Sequence, residues 1–106
     1  MISATLKITV PDHRRTEVLQ MLECAVESSR AEPGCVSFHM YQDLHSEDVI
    51  VLEEVWESRA DLDRHIRSDR YRYILAVMDT ASEAPEVKFN KISHMGGMQI
   101  ITTARK

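Results

Sequence analysis

His65 lies on a segment of helical spacing, between Leu62 and Ile66 at the edge of an apolar stripe. An imidazole with an ordinary pKa of about 6.5 takes or gives a proton near neutral pH, so His65 is the residue best suited to acid–base chemistry. Hydrogen-bonded to a neighbour, it would equally serve as a partly buried helix histidine. Trp56 offers a flat apolar wall for an aromatic ring, or simply core packing. Glu54 shares its strand face, flanked by Leu52 and Trp56; a carboxylate buried there needs a partner, as structural acceptor or as base. Tyr71 opens a second helical stretch with a hydroxyl that can orient a ligand. His39 and Tyr41 share one face of a strand and suit an interface or a ligand contact. Arg67, Arg70 and Arg72 read as a solvated face.

Other chemistries are poorly served. The three glycines, Gly34, Gly96 and Gly97, cannot form a phosphate-cradling loop. His39, His45 and His94 show no i, i+4 pairing, so no metal site is expected. Cys24 and Cys35 are lone thiols without an activating neighbour in sequence, and a reducing compartment fits them best. The net charge of −4 disfavours nucleic acid as a partner. No apolar run is long enough for a membrane span or a signal peptide, so a cytoplasmic protein with no membrane partner is the expectation.

These side chains need a scaffold, and 106 residues with 43% hydrophobic and 28% charged residues suit one globular domain. Ile2 to Val10 alternates apolar and polar residues, a strand with its even positions inward. From about His13 to Ala31 the period becomes helical, with Val18, Leu22, Ala25, Val26 and Ser29 on one stripe, and Pro33-Gly34 ends it. Cys35–Gln42 is a second strand, 43–48 a polar turn, and Val49–Glu57 a third strand. Ser58-Arg59-Ala60-Asp61 is a capping-box variant opening a second helix, with a restart at Ser68-Asp69 and an end near Ser82. Val87–Ser93 is a fourth strand of edge character, and Met98–Thr103 reads as a short extra strand after a Gly96-Gly97 hinge.

The order β-α-β-β-α-β predicts an α+β, ferredoxin-like domain: a four-stranded antiparallel sheet with both helices on one face. The core spans about residues 2–93, with a C-terminal arm over about 96–106. Val49, Val51 and Val55 occupy one face of the third strand and Ile50, Leu52 and Trp56 the other. A strand apolar on both faces expects cover on both, which one chain does not supply. A second copy would supply it, making a homodimer through the sheet faces.

The stretch Glu32–Tyr71 carries Glu-Pro-Gly-Cys at a helix end, Tyr-x-Asp closing the second strand, Glu54-x-Trp56-Glu57-Ser58, and then His65. In that ordered combination the chain resembles the antibiotic biosynthesis monooxygenase (ABM) domain of the dimeric α/β-barrel superfamily. The resemblance implies a homodimer with a pocket between the sheet and the second helix of each protomer. It also implies cofactor-independent monooxygenase chemistry on a small aromatic or quinone-like metabolite, without metal or flavin. His65 would then be the catalytic base, with Trp56, Tyr71, His39 and Glu54 binding the substrate.

The subfamilies match unevenly. Haem-degrading members use an asparagine, a tryptophan and a histidine where this chain has Leu6, His65 and Leu75. Polyketide-oxidising members share Trp56, but their asparagine, tyrosine and arginine fall on Leu52, Leu62 and Ala76. The isomerase type keeps a histidine at His65 and has a tyrosine in place of Trp56. The alternatives are therefore a non-catalytic small-molecule-binding or stress-associated dimer, or a cofactor-free isomerase of the same superfamily.

Overall fold

The alternating N-terminal segment becomes one of the two central strands of the sheet. In the computed structural model, which describes residues 1–106, β1 (Ile2–Thr9) buries Ala4, Leu6 and Ile8 on one face. A 3-10 turn at Asp12–Arg14 leads into α1 (Arg15–Ser29), whose buried residues are Val18, Leu22, Ala25, Val26 and Ser29, the stripe read from the spacing. Then follow β2 (Cys35–Asp43), β3 (Ser46–Trp56), α2 (Arg59–Arg67), α3 (Tyr71–Thr80) and β4 (Glu86–Lys91). The sheet is antiparallel throughout, in the order β2-β3-β1-β4, so β2 and β4 are its edges. This is the α+β, ferredoxin-like arrangement expected. The core is a single layer between helices and sheet: Phe38, Ile50, Leu52 and Trp56 meet Leu22, Val26, Leu62, Ile74 and Val77.

The connection between β2 and β3 differs from the sequence reading, whereas the break in the second helix falls at Ser68-Asp69 as expected. The β2–β3 connection is a two-residue turn at Leu44-His45, because the Asp43 carboxylate accepts the His45 N–H at 2.7 Å and Gln42 reaches the Glu47 carbonyl at 2.9 Å. The second helix is two helices. The Ser68 hydroxyl donates to the His65 carbonyl at 2.7 Å, and Ser68 itself is extended, so α2 stops at Arg67, two residues after His65.

The C-terminal segment is a correction. Met98–Thr103 is not an extra strand but lies within a helix, α4 (Met98–Ala104), which buries no residue. Its β-branched residues favour extended backbone, yet no strand lies beside it to pair with. A helix satisfies its backbone groups internally, and that requirement outweighs side-chain preference.

The turn between α1 and β2 positions the site. Gly34 has φ +81°, and a β-carbon there would overlap the Asp61 carboxylate in the first turn of α2. Asp61 is held by the cap read from the sequence: Ser58 Oγ accepts the Asp61 N–H at 3.2 Å and donates to Asp61 Oδ2 at 2.8 Å. The Glu57 N–H to Gly34 carbonyl bond, 2.9 Å, joins the turn to the end of β3. Both the left-handed backbone and the close approach require glycine. Gly34→Ala should therefore lower the unfolding free energy by about 2 kcal/mol in urea denaturation. Wild-type stability in that variant would contradict the tight packing of this turn on α2.

Candidate functional site

His65 is the centre of a buried charged cluster. On α2 it points inward with Leu62, and its side chain has no solvent exposure. Its Nδ1–H donates to Glu32 Oε2 at 2.8 Å. Its Nε2 lies 3.3 Å from Glu54 Oε1, in ion-pair range but without hydrogen-bond alignment. Alternation along β3 brings Glu54 to the helix-facing side with Leu52 and Trp56. The Trp56 indole N–H donates to the same Glu54 oxygen at 3.0 Å. Glu54 Oε2 is buried and has no hydrogen-bond partner.

Three aromatic rings enclose the imidazole. Trp56 stacks on it with centroids 4.5 Å apart and a 28° tilt, while Phe38 and Tyr71 meet it edge-on at 5.7 and 5.1 Å. Desolvation among them disfavours the imidazolium. The charge of Glu54 at one nitrogen, and then the bond and charge of Glu32 at the other, outweigh that burial and raise the His65 pKa above its ordinary value. Burial and the Glu54 charge push the Tyr71 phenol up to about 12. Burial, followed by the charges of Glu32 and Glu54, also raises the Cys35 thiol, which keeps it protonated near neutral pH. Arg70 sits 3.8 Å from Glu32 Oε2 and supplies a second cation on the solvent side.

The structure thus brings His65, Glu54, Trp56 and Tyr71 together. His39 is elsewhere: it projects from the open face of β2, tilted against Tyr41 at 6.1 Å and registered opposite Glu53. Glu32, by contrast, joins the cluster without having been singled out. A signal for it existed, since it follows the C-terminus of α1, where the helix dipole disfavours an anion and no basic residue occupies the last turn. A carboxylate so placed calls for a cation from another element.

No cavity is lined by His65, Glu54, Trp56 or Tyr71. The nearest opening by topology is a cleft of about 210 Å³ between α2 and the β1–β4 edge. Ile2, Leu62, Ile66 and Phe89 form its apolar walls, with Arg59 and Lys91 at its rim. Ile2 pairs with Trp56 across the sheet, and Leu62 precedes His65 by one helical turn. The cleft and the charged cluster are therefore separated by one layer of side chains. No helix is long and apolar enough to cross a membrane.

Comparison with known proteins agrees with this architecture. The antibiotic biosynthesis monooxygenase family model matches residues 1–76. An uncharacterised Synechocystis protein is 30% identical over 87 residues, 81% of this chain and 59% of its own. The uncharacterised protein YjcS of Bacillus subtilis is 34% identical over 64 residues, 60% of each chain. The chain thus spans about three-fifths of the length of these two relatives. Among solved structures, an antibiotic biosynthesis monooxygenase superposes with a TM-score of 0.81 at 21% identity, covering 89% of this chain and all of the other. Rv0793 from Mycobacterium tuberculosis gives 0.81 at 23% identity over 91% and 98% of the two chains. These structural likenesses establish the shared fold, and the family match goes further: this chain belongs to the antibiotic biosynthesis monooxygenase family.

Proposed function

We propose that the protein is a cofactor-independent monooxygenase of a small aromatic, quinol-type metabolite, with Glu54 as proton acceptor. The observation that carries this reading is the buried Glu54 Oε2, an acceptor atom with no partner, on a carboxylate whose other oxygen is fixed by Trp56 and faces His65. His65, with its Nδ1 bonded to Glu32 and a pKa raised above its ordinary value, acts as electrostatic support rather than as the free base. The cleft walled by Ile2, Leu62, Ile66 and Phe89 suits a flat apolar ring, and Arg59 and Lys91 at its rim favour an anionic oxygen. Entry as far as Glu54 requires the Ile2–Leu62 layer to part.

In the proposed reaction Glu54 Oε2 takes a hydroxyl proton and leaves an electron-rich phenolate. The phenolate passes one electron to O₂, and the ring radical combines with the superoxide at a ring carbon. The hydroperoxide then loses water, with protons returned from Glu54 and the ring. One quinol and one O₂ become one hydroxyquinone and one water. The chain's residues supply the base, the apolar surroundings and the charge balance.

A second reading, a small-molecule-binding dimer without turnover, is favoured by one observation: the layer that closes the cluster off from the cleft. Oxygen uptake with a panel of naphthoquinols separates the two. The oxygenase reading expects uptake above the buffer rate, a hydroxyquinone product, and a loss of about 10²-fold or more in Glu54→Gln. Quenching of Trp56 fluorescence by a quinol without oxygen uptake would overturn it in favour of binding. A product of the same mass as the quinol, formed equally well under nitrogen, would instead point to the isomerase alternative.

We also propose that a second copy covers the open sheet face, where Val49, Val51 and Val55 are half-buried and Tyr41 is 49% exposed. Light scattering at micromolar concentration should then give about 24 kDa, twice the 12.2 kDa chain. A 12 kDa particle would contradict it.

A further inference from the structure

We propose that Glu32 is a positioning residue of this site: it holds His65 as an imidazolium facing Glu54, and it is the contact through which the buried pair equilibrates with bulk protons. The proposal rests on the role given to Glu54 for its catalytic meaning, while its geometry stands independently. Glu32 lies on the turn after α1, far from Glu54 in sequence, and only the fold brings the two carboxylates to opposite nitrogens of one ring.

The distances divide the labour. Glu32 makes the short, aligned bond at 2.8 Å, whereas Glu54 faces the other nitrogen at 3.3 Å without alignment. Glu32 therefore fixes the ring, and Glu54 receives the field of its charge. Exposure divides it as well. The side chains of His65 and Glu54 are 0% and 1% exposed, and that of Glu32 is 9% exposed beside the half-exposed Arg70. Of the three charged members, Glu32 is the one that meets water, so a proton reaching His65 from solvent passes its carboxylate.

The other titratable groups around His65 leave this assignment intact. From α3 comes Tyr71, a neutral phenol over the whole working range. From β2 comes Cys35, a thiol kept protonated by the same carboxylates. Arg70 precedes α3 and acts on His65 only through Glu32. On α2 itself, Asp61 and Arg64 pair with each other at 2.9 Å. The two glutamates are thus the anions that decide the charge on His65.

This arrangement links the site to pH in a definite direction. With its folded-state pKa raised, His65 contributes stability that is fully present below its ordinary value of about 6.5. That contribution is lost as pH rises through the folded-state value.

Nitrogen NMR of ¹⁵N-histidine-labelled protein tests the proposal without requiring turnover. In the wild type at pH 7, both His65 nitrogens should carry protons, and the Nδ1–H should give a downfield proton signal protected from exchange. Glu32→Gln should lower the His65 titration midpoint by about one pH unit or more. Glu32→Asp should restore part of that shift. A neutral His65 at pH 7 in the wild type, which needs no variant to fold, would overturn the proposal. An unchanged midpoint in folded Glu32→Gln would overturn it too. Because these signals are read on His65 alone, an absence of oxygen uptake bears on Glu54 as base and leaves the positioning role standing or falling by itself.

Discussion

The structure depends on one buried contact set: an imidazole held between two carboxylates in the core of a small domain. Removing a charged group from water costs several kcal/mol per ion, and mutual attraction offsets this only with good geometry. Here His65 belongs to α2, Glu54 to β3 and Glu32 to the turn after α1, so satisfying the charges requires those three elements to meet in one arrangement. The aromatic rings of Phe38, Trp56 and Tyr71 exclude water around them, which strengthens each attraction and raises the cost of losing a partner. Gly34 is part of the same constraint. Its turn lies against Asp61, one helical turn before His65, and so aims Glu32 at the ring.

Much of this scaffold is legible in the sequence because it follows from periodicity. The even residues of β1, the α1 stripe ending in Ser29 and the cap at Ser58 are local patterns with one good structural solution. The edge character of β4 was likewise written in its lysines and Asn90. Met98–Thr103 was misread because β-branched composition says nothing about whether a neighbouring strand exists. The turn at Leu44-His45 came out shorter than its polar composition suggested, since one Asp43 side chain closes it.

The candidate site was legible in part for the same reason. His65, Glu54 and Trp56 stand at readable intervals on a helix and a strand, and the need of a buried carboxylate for a partner is visible beside Leu52 and Trp56. Tyr71 also joins this cluster. His39 does not, because alternation along β2 turns it to the open face. Glu32 escaped notice because its partner is set by tertiary structure; only its awkward position after a helix C-terminus hinted at a distant cation. The family relationship accounts for the fold, and the unpartnered oxygen of Glu54 is the atom on which the proposed chemistry rests.

The most direct test of the account is the coupling between Glu54 and His65. Unfolding free energies at pH 6 of the wild type, Glu54→Gln, His65→Gln and the double variant form a double-mutant cycle. A charged contact that organises the core should give a favourable coupling of at least about 1 kcal/mol, with the double variant less destabilised than the sum of the two single changes. Effects that add to within about 0.5 kcal/mol would mean that the two groups are neighbours without being partners, and would contradict the account.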